Sequence, residues 1–379
     1  MISGKEADYI MKTAILIPCL DPQLALVTLV KSLREQIDPE DEIIIVNDGS
    51  APEYLPLFHE AEACGCLILA HDVNRGKGAA IKTGLRHIYE ESEPAQYTIT
   101  ADGDGQHLVS DILKMRRKCI LEYRYSKMPP IIIGTRDLTN ENVPARSRFG
   151  NNFSTAYFRL VTGKTIKDTQ TGLRAIPVSL YAEALEIPGE HYDYEMNFLI
   201  TEAKRSTISQ IPISTVYEGS NSSSHFRTVV DSCRIYQTPL KYIIVSALCA
   251  VTDLSLFHVF HTGLTALLAS ASIAAATVGA RVVSGILNFI LNRKWSFSAG
   301  NADKEPIKGQ AVRYTVLFLT IMLASALMVS VFSILPLPLI FVKIIVDSML
   351  AFVSYVAQHN WVYAPAENYA RLQSSTYDN

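Results

Sequence analysis

The sequence predicts an α/β domain built on a mostly parallel sheet, followed by an all-α domain of four membrane-spanning helices. Two observations predict the first domain: short apolar segments alternate with segments of helical periodicity, and acidic or glycine-rich turns follow several of the apolar segments. One observation predicts the second, because charged residues are common up to about Lys241 and sparse afterwards. At 379 residues the chain is long enough for both domains.

The first half alternates predicted strands with predicted helices. We expect strands at Thr13–Pro18, Asp41–Asp48, Cys66–Ala70 and Tyr97–Ala101. We expect helices near Gln23–Glu35, Pro52–Ala63, Lys77–Glu91 and Ser110–Tyr125. Continuous apolar strands between helices imply a parallel sheet covered on both faces. Ligands of such sheets bind beyond the carboxyl ends of the strands, so motifs that follow different strands are expected to meet in one crevice.

The most informative motif follows the fourth predicted strand. Asp102, Asp104 and Gln106 alternate, and on a strand this spacing points all three side chains the same way. Clustered oxygen ligands suit a hard divalent cation, Mg²⁺ or Mn²⁺, which proteins usually hold with one or two carboxylates plus substrate phosphates. The motif therefore predicts a site for a nucleotide diphosphate. An EF-hand is excluded, because its sixth and twelfth positions, normally Gly and Glu, are His107 and Leu113.

Two further motifs lie at predicted strand ends. Asp48 ends the second strand, and Asn74-Arg75-Gly76-Lys77-Gly78 directly precedes a helix. Glycines let the backbone approach a phosphate, and a helix N-terminus favours anions. The glycine segment lacks the GxxxxGK[ST] spacing of a Walker A loop, and an ordinary β–α turn stays open as its alternative.

Composition excludes several classes of protein. The formal net charge of -3 offers no basic surface for nucleic acid, so we expect no nucleic-acid partner. The six cysteines form no CxxC pair and no disulfide spacing, which indicates reduced cytosolic thiols. No signal peptide is expected, because Pro18 and Asp21 interrupt the short apolar run that follows Lys12.

Four apolar stretches are long enough to cross about 30 Å of hydrocarbon as helices. They are roughly Leu240–His261, Leu264–Leu291, Val312–Leu335 and Leu337–Tyr363. Lysine and arginine are concentrated between the second and third stretches, which predicts that this loop is cytoplasmic. We therefore expect a multi-pass cell-membrane protein with its N-terminal domain and its C-terminus in the cytoplasm. The predicted boundaries are a cytoplasmic domain at 1–224, an interfacial amphipathic linker at 225–239, a transmembrane domain at 240–363 and a cytoplasmic tail at 364–379.

Polar residues inside the predicted spans are expensive in lipid and usually face a bundle interior or a cavity. They are Asp253, Arg281, Asn288, Asn292, Asp347 and His359. Structural pairing, for example of Arg281 with Asp347 or Asp253, is one interpretation; contact with a lipid head group or within a homo-oligomer is the other. The mixed apolar and basic segment 224–236 is interpreted as lying in the membrane interface, in contact with lipid, or as a plain connecting helix.

The ordered motifs of residues 12–230 resemble the family 2 glycosyltransferases of GT-A fold, a Rossmann-like α/β class. The resemblance is strongest to the branch of dolichyl-phosphate mannose synthases and polyprenyl-phosphate glycosyltransferases. It is carried by Ile17-Pro18, Val46-Asn47-Asp48-Gly49-Ser50, Asn74–Gly78, Asp102–Gln106, Gly134-Thr135-Arg136, Asp168-Thr169-Gln170-Thr171-Gly172 and Asp193-Tyr194-Glu195. The four spans resemble a GtrA-type membrane domain, most clearly at Asn288-Phe289 and Asn292–Phe297.

The resemblance implies a role for each motif. It assigns catalysis to Asp102, Asp104, Asp193 and Glu195, and metal binding to Asp104 and Gln106. Donor binding falls to Pro18, Leu20, Asp48, Gly76, Lys77, Asp102 and Gln170. Binding of the acceptor or its phosphate falls to Arg136, Arg148, Ser224, His225 and Arg227, and Arg146 is close enough to exchange roles with Arg148. This chain departs from the family at Pro18-Cys19-Leu20-Asp21-Pro22, where members often have Pro-x-Tyr-Asn-Glu.

The activity implied is transfer of a hexose from a nucleotide sugar to polyprenyl (undecaprenyl or dolichyl) phosphate, with inversion and with Mg²⁺ or Mn²⁺. UDP-glucose, UDP-N-acetylglucosamine and GDP-mannose are the candidate donors, with a lean to UDP. Two alternatives stay open. The chain could add sugar to a lipid-linked saccharide or polysaccharide, or it could be a GtrA-type flippase of lipid-linked sugar whose soluble half is not catalytic.

Overall fold

The computed structural model describes residues 11–139, 143–214, 228–268, 272–298, 306–332, 334 and 338–364. The chain divides into two compact units, Met1–Ile235 and Tyr236–Asn379. The first is an α/β unit and the second is helical. A mostly parallel α/β domain followed by an all-α region was predicted, and this fold class is confirmed.

The first unit is organised around one seven-stranded sheet. Its strands are β1 Thr13–Cys19, β2 Glu42–Asn47, β3 Leu67–Ala70, β4 Tyr97–Thr100, β5 Ile131–Arg136, β6 Arg174–Pro177 and β7 Ile208–Ile213. Their order across the sheet is β3-β2-β1-β4-β6-β5-β7. The strands β1 to β4 are mutually parallel where they pair, as predicted, whereas β6 runs antiparallel to both β4 and β5. The carboxyl ends of β1, β2 and β4 therefore lie at the same edge of the sheet.

Helices cover both faces of this sheet. They are α1 Leu24–Arg34, α2 Leu55–Ala63, α3 Lys77–Tyr89, α4 Val109–Tyr125, α5 Ala145–Thr162, α6 Tyr181–Glu186, α7 Asp193–Ala203 and α8 Thr228–Ile235. Alternate residues of β1 enter opposite cores: Ile15 and Ile17 lie in the core shared with α1, α2 and α4, while Ala14 and Leu16 lie in the core shared with α3 and α5 to α7. Burial on both faces explains why these strands are continuously apolar.

The second unit contains four long helices within its described residues. They are α9 Gln237–Leu268, α10 Ser272–Leu291, α11 Ile307–Phe332 and α12 Leu339–Ala357. Three candidate spans meet the length and apolarity needed to cross a membrane in the described part of the chain: Gln237–Gly263, Ala275–Ser296 and Ile307–Phe332. The fourth predicted span coincides with α12 and stays a prediction, as do the domain boundaries and the side of the membrane that each terminus occupies.

Candidate active site

Asp48 organises the glycine-rich segment that follows β3. Its carboxylate is buried at the carboxyl end of β2 and accepts hydrogen bonds from the backbone N–H groups of Arg75 (2.9 Å) and Gly76 (2.7 Å). Its Oδ1 also lies 2.7 Å from Nδ1 of His71. Both carboxylate oxygens therefore have protein partners, so in this structure Asp48 positions the loop that the resemblance assigned to the donor.

Both the backbone conformation at position 76 and the packing around it require glycine. Its φ of +102° lies in the region that favours glycine, and a Cβ there would lie 2.0 Å from Nδ1 of His191. The same loop is tied to the neighbouring segment by a hydrogen bond from Ala79 N to the carbonyl of Glu190 (2.9 Å). Packing of this loop against residues 190–194 brings Lys77, the first residue of α3, next to the start of α7.

Lys77 joins two carboxylates that are far apart in the sequence. Its Nζ lies 2.7 Å from Asp102 Oδ1 and 3.1 Å from Glu195 Oε2. The ammonium group also lies 5.6 Å from the centre of the Tyr192 ring, within cation–π distance. Three residues predicted from separate motifs thus form one cluster beyond the carboxyl ends of the parallel strands.

The charges in this cluster shift one another's pKa. Burial alone would raise the pKa of Asp102, but Lys77 and His107 outweigh it and hold the pKa of this carboxyl below its usual range. Burial likewise opposes the charge of Lys77, yet Asp102 and Glu195 raise its pKa above the usual value. Each ion is thus stabilised by its partner.

Asp104 is in the opposite electrostatic situation. Burial and the negative charge of Asp102 both raise its pKa above the ordinary value. Its Oδ1 accepts a hydrogen bond from the backbone N–H of Gln106 (3.0 Å), so residues 104–106 form a compact turn. Two neighbouring carboxylates, one of them short of compensating positive charge, fit a divalent cation that completes its ligand sphere with diphosphate oxygens. The described residues contain no group of three or more His, Cys, Asp or Glu side chains able to hold a metal by themselves.

The segment Asp168–Gly172 closes one side of the cluster. A Cβ on Gly172 would lie 2.2 Å from Asp102 Oδ2, so only glycine lets this segment approach the aspartate. The carbonyl of Gly172 accepts a hydrogen bond from Thr100 Oγ1 (2.7 Å), which joins the segment to the end of β4. Because Asp102 lies against the backbone here, its side-chain position depends on this segment.

Arg136 makes its main contact inside the protein. Its Nε and Nη2 groups donate to Asp168 Oδ2 (2.6 Å) and Oδ1 (3.0 Å), and Asp168 is fully buried. This fork-to-fork pair fixes the start of the 168–172 segment against the end of β5. The phosphate-binding role that the resemblance gave to Arg136 stays a prediction, and the structure adds a structural role for the same guanidinium.

The other predicted residues are distributed around the cluster. Asp193 lies at the start of α7, where its Oδ1 accepts a hydrogen bond from the backbone N–H of His191 (3.1 Å). Pro18 is buried, Leu20 is half-buried, Gln170 is exposed, and Arg148 is half-exposed in the first turn of α5. Ser224, His225 and Arg227 lie outside the described residues.

Two residues near the cluster were not singled out from the sequence. His107 is buried with its Nε2 3.2 Å from Asp102 Oδ2. Arg174 is also buried and donates to the carbonyls of Thr169 (2.9 Å), Thr171 (2.9 Å) and Glu195 (2.7 Å).

His107 directly follows the acidic motif, and Arg174 follows Gly172 by two positions. Their positions next to recognised motifs were the sequence signal that could have identified them. What the sequence did not reveal is that Arg174 joins the 168–172 segment to α7.

Comparison with known proteins assigns both halves of the chain to families. Residues 14–181 match the family Glycosyl transferase family 2, and residues 241–363 match the family GtrA/DPMS, transmembrane domain. The chain carries a family 2 glycosyltransferase domain and a GtrA/DPMS transmembrane domain. The protein is therefore a glycosyltransferase, and the resemblance stated from its motifs is confirmed.

Individual relatives of this glycosyltransferase are distant. A UDP-N-acetylglucosamine–dolichyl-phosphate N-acetylglucosaminyltransferase of Methanococcus voltae is 27% identical over 219 residues, which are 54% of this chain and 85% of the relative. A dolichyl-phosphate beta-glucosyltransferase of Saccharomyces cerevisiae is 29% identical over 217 residues, 50% of this chain and 61% of the relative. Among solved structures, glucosyl-3-phosphoglycerate synthase of Mycobacterium tuberculosis, in complex with Mn²⁺, UDP and glucosyl-3-phosphoglycerate, is 14% identical, with a TM-score of 0.44 over 63% of this chain and 79% of that chain.

Proposed function

We propose that this glycosyltransferase moves a hexosyl group from a UDP-activated sugar to a polyprenyl phosphate, with inversion at the anomeric carbon. The observation that carries the proposal is the Lys77–Asp102–Glu195 cluster, which lies at the same sheet edge as Asp104. The acceptor class is supported by the two relatives whose names specify dolichyl phosphate. The donor nucleotide is supported by the Methanococcus voltae relative, whose name specifies a UDP sugar.

The diphosphate of the donor would lie between the acidic motif and the N-terminus of α3. Asp104 and Gln106 would hold Mg²⁺ or Mn²⁺, which neutralises charge on the departing diphosphate. The raised pKa of Asp104 supports this assignment, because burial and the charge of Asp102 outweigh the nearby positive charges of His107 and Lys77. Lys77 supplies a further positive charge at the first residue of α3, where backbone N–H groups also favour anions.

The acceptor phosphate attacks the anomeric carbon from the side opposite the leaving group. A bond forms between phosphate oxygen and the anomeric carbon while the bond from that carbon to the nucleoside diphosphate breaks, and the electron pair leaves with the diphosphate. A phosphate monoester has a second pKa of about 6, so it is largely ionised at neutral pH and needs no strong general base. Glu195 is held by Lys77 at 3.1 Å, which suits a carboxylate that orients groups around the sugar.

The membrane unit would keep the enzyme where its lipid acceptor is found. Its helices are long and apolar, and the positive-inside pattern of its loops supports placing the catalytic unit in the cytoplasm, where nucleotide sugars are made. Arg148, half-exposed on α5, is available to the acceptor phosphate as a bidentate donor.

The test is transfer by the purified full-length protein. Radiolabelled UDP-glucose, UDP-N-acetylglucosamine and GDP-mannose are each supplied with Mn²⁺ and undecaprenyl or dolichyl phosphate. We expect one UDP sugar to give a glycolipid that mild acid cleaves, as a glycosyl phosphate should be. Transfer to a lipid-linked saccharide without any transfer to polyprenyl phosphate would refute the proposal, and so would movement of lipid-linked sugar with no transfer at all.

A further inference from the structure

The membrane unit contains the same helical hairpin twice. The first hairpin is α9 and α10, and the second is α11 and α12. Each hairpin ends in one π-helical turn, Asn292–Ser296 in the first and Gln358–Val362 in the second. Each turn has a tryptophan as its fourth residue, Trp295 or Trp361, and is followed by an aromatic residue. Two rare turns at the same place in two hairpins indicate an internal repeat.

Side-chain contacts repeat in the same register. Aligning α9 with α11 by a single shift in residue number makes Tyr242 equivalent to Tyr314. Aligning α10 with α12 in the same way makes Phe289 equivalent to Tyr355. The Tyr242 and Tyr355 rings are 5.2 Å apart, and the Tyr314 and Phe289 rings are 5.3 Å apart. The first helix of each hairpin thus makes the same contact with the second helix of the other hairpin. A pseudo-two-fold axis between the hairpins requires this reciprocity.

Residues that are equivalent to each other also touch each other. Asn292 Nδ2 donates to Gln358 Oε1 at 3.1 Å, and the Phe297 and Tyr363 rings stack at 4.9 Å. Equivalent residues can meet only near the symmetry axis, so these two pairs mark it. The repeats are parallel, because both hairpins end on the side where this axis is marked.

The offsets also relate a polar pair within each hairpin. In the first hairpin, Asp253 Oδ2 lies 3.6 Å from Arg281 Nε. In the second, Ser325 Oγ donates to Asp347 Oδ1 at 2.7 Å. Asp253 corresponds to Ser325 and Arg281 to Asp347, so the outer helix faces carry opposite charges at equivalent positions.

Both charged side chains lie on the outer faces of their hairpins. The Arg281 side chain is 55% exposed in the single chain, and Asp347 is exposed as well. One turn before each, an exposed apolar residue occupies the equivalent position, Val278 on α10 and Ile344 on α12. Arg281 lies inside the candidate span Ala275–Ser296, where an ionisable side chain facing lipid is unfavourable.

We propose that a second copy of this chain covers these faces, with Arg281 on α10 of one copy pairing with Asp347 on α12 of the next. Charge complementarity selects this partner, since one face presents the Arg281 guanidinium and the other presents the Asp347 carboxylate. The flanking Val278 and Ile344 would pack together beside the ion pair. The contact joins two different surfaces, so it is heterologous and repeats from one copy to the next in the membrane plane.

The test measures the mass of the full-length protein in lipid nanodiscs by native mass spectrometry. Charge reversals are made in a chain carrying Asp253→Ser, which copies Ser325 of the second hairpin and avoids placing two acids side by side. Arg281→Asp puts an acid at both positions, and Asp347→Arg puts a base at both positions. We expect the Asp253→Ser background to be oligomeric, each reversal alone to be monomeric, and an equal mixture of the two reversed chains to assemble again.

Reassembly of the mixture is the decisive result, because a misfolded chain cannot regain a partner. A monomeric background, reversals that keep the full mass, or a mixture that stays monomeric would each overturn the proposal. If a chain with a charge reversal does not fold, the test uses cysteine cross-linking of a double variant, Arg281→Cys with Asp347→Cys, instead. Oxidation should then cross-link copies only when both cysteines are present, and equal cross-linking in either single variant would contradict the pairing. Neither measurement depends on glycosyl transfer.

Discussion

Lys77 Nζ lies 2.7 Å from Asp102 Oδ1, which places the only lysine of the glycine-rich loop against the first aspartate of the acidic motif. The contact joins the N-terminus of α3 to the end of β4. It holds the pKa of Asp102 below its usual range against the effect of burial. The two strongest sequence motifs of this glycosyltransferase are therefore one electrostatic unit, and the predictions below separate its parts.

Replacing Lys77 with Met should destabilise the protein. The change leaves Asp102 and Glu195 without the ammonium group that lies between them, and loss of one partner of a largely buried ion pair costs about 3–5 kcal/mol. Partial exposure of Asp102 puts the expected loss at the lower end, about 3 kcal/mol. Thermal and urea unfolding of full-length protein at pH 7 measure it, and Lys77→Arg, which keeps the charge, should lose much less.

The stability supplied by Asp102 should depend on pH in a defined direction. Its pKa is lower in the folded than in the unfolded protein, so its ionised form stabilises the fold above the unfolded value of about 3.9. As the pH falls below that value this contribution is lost. The stability difference between the wild type and Lys77→Met should therefore be full above about pH 5 and narrow below pH 4; a difference that grows in acid would contradict the assignment.

Replacing Asp104 with Asn should remove metal-dependent turnover without harming the metal-free fold. The raised pKa of Asp104 means that its ionised form is unfavourable in the absence of a cation, so the neutral amide relieves that cost. We expect activity to fall about 10²–10³-fold, and we expect Mn²⁺ to raise the unfolding temperature of the wild type but not of the variant. Asp72→Asn, which removes an exposed charge, is the matched control and should respond to Mn²⁺ like the wild type.

Replacing Gly172 with Ala should displace Asp102. The added Cβ would lie 2.2 Å from Asp102 Oδ2, so either the aspartate or the 168–172 segment must move. Overpacking of this kind costs about 1–3 kcal/mol, and a shift of about 1 Å at a catalytic group costs about 10²-fold in rate. Steady-state kinetics and unfolding measure both effects. Gly309→Ala on α11, whose Cβ would meet nothing within 4 Å, should leave activity unchanged.

Replacing Arg136 with Ala distinguishes its observed contact from its predicted one. Asp168 is fully buried and would lose its bidentate partner, so the free energy of unfolding should fall by about 3–5 kcal/mol. Adding Asp168→Asn should recover part of this loss, because the remaining side chain is no longer charged. If unfolding is unchanged and only the KM for the lipid acceptor rises, Arg136 serves the acceptor phosphate and the structural role is refuted.

The sequence predicted most of the architecture that supports the site. Strands β1 to β4 and helices α1 to α4 were predicted within a few residues of their observed ends, because buried parallel strands are continuously apolar and the helices between them are periodic. The strands β5, β6 and β7 were not predicted individually. The antiparallel insertion of β6 between β4 and β5 depends on pairing between distant segments, which leaves no local periodic signal.

By itself the sequence determined which residues end the parallel strands, since composition and spacing alone place Asp48, Asp102 and Asp104 at one sheet edge. It also determined that the second half is apolar enough for a membrane. Only the tertiary structure decided which groups form hydrogen bonds and ion pairs with each other. Asp48 binds the loop backbone, Arg136 pairs with Asp168, and Lys77 pairs with both Asp102 and Glu195. Short-range patterns specify strands and helices, whereas ion pairs depend on side chains brought together by folding from positions many residues apart.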